Sequence, residues 1–206
     1  QAHSESTAGT VNLALAGTVA SPTQLLCADD AAEPPTALAT SGVVATTGAS
    51  PIEIFGHAYV YGLTFNCGTT AVNASIQLGT AGNRQTYERC NFTTGTGGGS
   101  CYVSIGKSNM SEVVHVDLID CGMRFNHQGH GVLGYGVLNI RGGGALSGGA
   151  NIDSFLKIGG AFGVPGLYAL VDGFDFSNWA ATLNLISSFS NGQNGRAVFR
   201  NCKLPA

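Results

Sequence analysis

The apolar positions of this chain alternate with polar ones in short runs, and the runs recur. In EVVHVDLID (Glu112 to Asp120) and GRAVFRN (Gly195 to Asn201) the alternation is nearly strict, and each run stops at a turn-forming residue. Period-two alternation over a few residues predicts a half-buried strand, whereas a helix repeats its apolar residues three and four apart. A phrase ending on a small residue returns six times: VYG (Gly62), ERC (Cys90), IDC (Cys121), IRG (Gly142), VDG (Gly173) and RNC (Cys202). Successive members lie 28, 31, 21, 31 and 29 residues apart. A second phrase interleaves with it, at Gly56, Gly79, Gly106, Gly134, Gly159 and Ser187, in steps of 23, 27, 28, 25 and 28. Two registers keeping pace over six turns predict a solenoid.

Composition selects among solenoids. The chain has 31 glycines and only 10% charged residues, and glycine in a helix interior costs about 1 kcal/mol, so helical repeats are excluded. A leucine-rich spacing is absent. The remaining reading is all-β: a parallel β-helix of about six coils over residues 51–206, with equivalent residues of neighbouring coils stacked ~4.8 Å apart. On this reading Gly62, Cys90, Cys121, Gly142, Gly173 and Cys202 form one small-residue ladder at a tight corner. Ile119, Ile140 and Val171, two positions earlier, are expected on the core side. Glu88 and Arg200 fall at that same position, and the conflict predicts a bulge or a solvent-open face there. The position between reads Arg89, Asp120, Arg141, Asp172 and Asn201, an expected outward ladder of alternating charge that fixes coil register more than it stabilises the fold.

Residues 1–50 lack the repeat. VNLALAGTV (Val11 to Val19) reads as one strand and ADDAAEPPTALATSG (Ala28 to Gly42) as an extended loop, so this segment is expected to be a cap over the first coil or an arm that anchors the rod to a neighbour. A net charge of −3 gives no electrostatic footprint for nucleic acid, and no run approaches the ~20 apolar residues of a membrane span. The chain opens on Gln1 without a charged-then-apolar leader, as expected of a processed protein or a fragment.

Six cysteines permit three disulfides, but three of them sit on the small-residue ladder, where a thiol acts as a compact apolar side chain. Free thiols are expected, and without a C-x-x-C spacing no structural zinc site is. A search for glycoside-hydrolase chemistry finds Asp120 and Asp172 two coils, or ~9.6 Å, apart, at the limit of an inverting pair. Arg141 between them lowers both pKa values and disfavours a proton donor. Asp117 and Asp175 share that weakness. Lys107, Lys157 and Lys203 are scattered, without the acidic cluster that calcium-assisted lyase chemistry needs. No catalytic residue, cofactor or metal is therefore expected. His127 and His130, in NHQGHG, are an incomplete ligand set and stand as candidate partner or glycan contacts, together with Trp179, the single tryptophan.

ERCNF, IDCGMRF, VDGFDF and RNCKL give residues 50–204 a resemblance to the right-handed parallel β-helices of the pectate-lyase-like superfamily. The resemblance implies the fold, and no lyase or hydrolase motif carries across residue by residue. Within that group a short Gly/Thr/Ala-rich rod with a non-repetitive N-terminal segment looks most like structural proteins of tailed phages, either capsid-decorating (cement) proteins or tail spikes. That resemblance implies a non-enzymatic virion-surface protein, a homo-trimer contacting the capsid shell through residues 1–50. The alternative it implies is a glycan-binding tail-spike or adhesin module, with a polysaccharide-degrading enzyme third.

Overall fold

The structure is a computed structural model and describes residues 4–29, 37–68, 74–95, 101–106, 112–125, 130–147, 154–158, 166–179, 184–188 and 195–206; the regular secondary structure among them is all strand. Sheet A holds β1 (Ser4–Thr7), β4 (Gly42–Thr46), β7 (Leu63–Cys67), β10 (Asn91–Thr94), β13 (Gly122–Arg124) and β16 (Gly144–Ala145), in that order. Sheet B runs from β2 (Val11–Ala14) through β5 (Ile52–Phe55), β8 (Ser75–Leu78), β11 (Tyr102–Ile105), β14 (His130–Gly134) and β17 (Ser154–Ile158) to β19 (Asn184–Ser188). Sheet C runs from β3 (Thr23–Leu26) through β6 (Ala58–Tyr61), β9 (Arg84–Glu88), β12 (Val114–Ile119), β15 (Gly136–Arg141) and β18 (Leu167–Asp172) to β20 (Arg196–Arg200). Every named pairing is parallel, and neighbours in a sheet differ by three in chain order except where β17 meets β19 and β18 meets β20. The chain thus visits A, B and C in turn and climbs one strand per circuit: a parallel β-solenoid.

The alternation in the sequence becomes three inward columns. Sheet B stacks Ile52, Ile76, Val103, Val132 and Leu156, all fully buried. Sheet C stacks Val60, Tyr87, Leu118, Ile140, Val171 and Phe199, and sheet A stacks Val44, Phe65, Phe92, Met123 and Ala145. Each fully buried large side chain contributes about 1.5–3 kcal/mol of apolar burial, and each column repeats that contribution coil by coil.

The pairing corrects the expected register by one residue. Gly62 aligns with Arg89, Asp120, Gly142, Gly173 and Asn201, not with Cys90, Cys121 and Cys202. The cause is backbone conformation rather than side-chain size. All six residues have positive φ, from 51° to 75°, so the corner is a left-handed turn that glycine adopts freely and Asn or Asp tolerates. Their N–H groups form one continuous ladder: Gly62 to Glu88 O, Arg89 to Ile119 O, Asp120 to Arg141 O, Gly142 to Asp172 O and Gly173 to Arg200 O. The cysteines stand one step further, tucked inside. In this register Ile119 joins Glu88, Arg141, Asp172 and Arg200 on the outward face, and the core position belongs to Leu118. The apparent conflict at Glu88 and Arg200 disappears without a bulge. The expected charge ladder likewise divides into a corner row (Arg89, Asp120, Asn201) and a strand row (Arg141, Asp172). In the second phrase Gly79 stacks on Gly106, while Gly56 and Gly134 slip by one; Gly159 lies outside the described residues.

Residues 4–26 lie within the segment, residues 1–50, expected to cap the first coil or to serve as an arm. Read as lying outside the repeat, they supply β1, β2 and β3, which pair with β4, β5 and β6 and extend all three sheets by one strand. The sequence pattern is weak here because this coil buries little apolar surface among the described residues. β1 is SEST, exposed throughout, and its Glu5 occupies the register position that Val44, Phe65 and Phe92 fill with apolar groups in later coils.

Candidate functional site

The six cysteines are free thiols, five of them buried. Three have the same bonding pattern. Cys90 Sγ lies 3.6 Å from Val60 O and 3.5 Å from Glu88 O. Cys121 Sγ meets Tyr87 O and Ile119 O at 3.4 Å each, and Cys202 Sγ meets Val171 O at 3.7 Å and Arg200 O at 3.3 Å. Each thiol therefore donates to the carbonyl two residues back or to the inward column of the coil below, sewing the corner to its neighbour. Burial pushes the Cys90 thiol up to about 11 and the Cys121 thiol up to about 12. Such thiols are poor nucleophiles, so their role is structural.

The carboxylates divide by partner. Asp172 is paired with Arg200 at 2.8 Å and accepts from Asn201 Nδ2 at 2.9 Å, which holds its pKa below the ordinary carboxylate value. Asp175 accepts from the Ser177 N–H at 2.8 Å and pairs with Lys203 at 3.2 Å, and it too is lowered. Asp117 accepts from Asn139 Nδ2 at 2.9 Å. Asp120 stands in the corner row and Asp172 in the strand row, so the two do not stack as the pair the sequence suggested. A lowered pKa unsuits Asp172 and Asp175 for general-acid work at neutral pH.

Trp179 is corrected as a surface contact. It is 7% exposed and packs among Phe155, Phe176, Phe125 and Phe174 at ring-centroid distances of 5.2, 5.4, 5.8 and 6.0 Å. His127 lies outside the described residues, and His130 begins β14. Among the described residues no group of three or more His, Cys, Asp or Glu side chains is placed to hold a metal ion.

The structure brings together a site that the sequence reading did not assemble. Along the first outward position of sheet A the residues run Thr64, Asn91, Gly122, Gly144, Asp175 and Lys203. Polar side chains link at both ends of this row, Asn91 Nδ2 to Thr64 Oγ1 at 3.2 Å and Lys203 Nζ to Asp175 Oδ2 at 3.2 Å. Between them two consecutive coils offer only glycine. The result is a groove of about 310 Å³, with Asp120 on one flank and Asn178 on the other. Its sequence signal was the Gly142–Gly144 run beside Gly122, which reads as turn punctuation until the register is known. A smaller apolar hollow of about 180 Å³ lies on sheet C between Val137, Tyr168, Leu170 and Val198.

Comparison with protein-family models, with curated proteins and with solved structures finds no match to this chain.

Proposed function

We propose that the chain is a non-enzymatic structural protein of a virion surface: a right-handed β-helical rod of the capsid-decorating kind, trimeric, attached to the shell through its N-terminal coil. The observation that carries this reading is the outer edge of that coil, which no described strand covers. Val11 and Leu15 donate to Pro51 and Phe55, and Thr23 and Cys27 to His57 and Tyr61. Because a strand's N–H groups alternate in direction, Asn12, Ala14, Gln24 and Leu26 then face away from the rod. Such an edge is a template for a partner strand.

The finding that residues 4–26 are built into the rod changes the anchoring idea. Attachment falls to a rigid strand edge and not to a loose arm. On sheet C, Tyr168 and Val198 are 44% and 39% exposed and supply apolar contact between copies. A glycan-binding role would call for exposed aromatic platforms, and Trp179 is not one. Light scattering of the full chain tests the assembly. A trimer mass is expected, falling toward the monomer in Tyr168→Glu, and a monomer at every concentration would refute the trimer.

A further inference from the structure

We propose that the outer face of sheet C across β15, β18 and β20 is where a second copy of the chain docks, and that the copy presents an acidic surface there and not the same patch. The inference rests on the trimer reading and gives that trimer its interface. Alternation turns Val137, Tyr168, Leu170 and Val198 outward, and they line the apolar hollow of about 180 Å³. Charge flanks the hollow on both sides. Arg196 stands in register beside Tyr168 on one side, and Arg141, Asp172 and Arg200 make the row on the other. The carboxylates nearby are already committed, Asp172 to Arg200 at 2.8 Å and Asp117 of β12 to Asn139 at 2.9 Å. The Arg141 and Arg196 guanidinium groups have no hydrogen-bond or ion-pair partner among the described residues.

Two unspent cations beside an apolar hollow make the patch a poor partner for itself, because face-to-face copies would set arginine against arginine. The composition supplies the opposite sign. The outward positions of β15, β18 and β20 hold three arginines and one aspartate, a formal charge of +2. The chain has nine basic and twelve acidic residues, so everything outside this face holds six and eleven, a formal −5. A second copy therefore offers complementary charge when it turns a different face toward this one. Contact between two different surfaces is heterologous and can close into a ring of three, whereas an isologous contact stops at a pair. Tyr168 and Val198, 44% and 39% exposed, supply the apolar burial, and the free arginines set the orientation and the sign of what they accept.

Sedimentation velocity of the full chain tests this, with Trp179 emission as the check that each variant is folded. The wild-type trimer is expected at low ionic strength and should dissociate progressively as sodium chloride is raised. Arg141→Glu and Arg196→Glu, both at exposed positions, are each expected to raise the dissociation constant about ten-fold. Arg196→Lys, which keeps the charge, is expected to retain the trimer. A wild-type trimer indifferent to salt and to both reversals would leave the trimer standing and overturn this interface. So would reversals that tighten assembly, or an assembly that stops at a dimer. A wild-type chain that is monomeric throughout would remove the trimer reading and this interface together.

Discussion

At three corners the chain holds a non-glycine residue in the left-handed region: Arg89 at φ 51°, Asp120 at 51° and Asn201 at 53°. Asp and Asn tolerate this conformation, but arginine carries the full cost of about 1–2 kcal/mol. Arg89→Gly is accordingly expected to stabilise the protein by about 1 kcal/mol, net of a surface contact to Tyr61 worth little. Gly142→Ala, in the same row at φ 65° and with Asp120 Oδ1 where its methyl would go, is expected to destabilise by about 1–2 kcal/mol. Urea midpoints at constant m-value distinguish these signs. The corner thiols make a second prediction. Their folded pKa values, about 11 and about 12, lie above the ordinary 9.0. The neutral thiols thus contribute stability in full below pH 9, and it is lost as pH rises toward the folded values. Unfolding free energy is expected to decline between pH 9 and 12, less steeply in the Cys90→Ala/Cys121→Ala double variant, and equal slopes would refute the assignment. The exposed carboxylates have the opposite sign: the lowered pKa of Asp172 and Asp175 adds a little stability above pH 3.8 that disappears on further acidification.

The turn after β18 contributes three aromatic rings to the core. Phe174, Phe176 and Trp179 converge on Phe155 of β17 at 5.4, 5.1 and 5.2 Å. Phe155→Ala is expected to cost about 3–5 kcal/mol, and Trp179 fluorescence, the only tryptophan signal, should be blue-shifted and protected from iodide until global unfolding. An iodide-accessible native Trp179 would contradict its place in this cluster. The strands themselves were legible because β12, β15, β18 and β20 alternate cleanly. Register was not legible, since a small residue and a left-handed residue are both corner signals and lie one apart in RC, DC and NC but coincide at Gly62, Gly142 and Gly173. Only the hydrogen-bond ladder separates them. The groove escaped for a related reason: no residue in it is unusual, and it exists because Gly122 and Gly144 fall on consecutive coils between Asn91 and Asp175. Trp179 was misread because a lone tryptophan in a polar phrase, DGFDFSNW, does not show that its neighbours Phe174 and Phe176 turn inward.

As a whole the described chain is a stack in which each coil is held by its neighbours, and its first and last described coils are unlike. At the first described coil Glu5 and the polar β1 occupy the sheet A column. At the other, Leu185, Ala197 and Phe199 lie only partly covered against the core. Residues 4–26 pair with the next coil in all three sheets, so this coil belongs to the rod, and no described strand covers its outer edge. Attachment through that edge is the claim on which the functional reading rests. Residue-resolved amide hydrogen exchange, compared between the free chain (the dissociated state) and the chain bound to the shell (the assembled state), tests it directly. The account predicts that Val11, Leu15, Thr23 and Cys27 are protected in both states. Asn12, Ala14, Gln24 and Leu26 should exchange freely in the dissociated chain and become protected on assembly. If those four amides stay unprotected in the assembled particle, the N-terminal edge is not where the protein attaches.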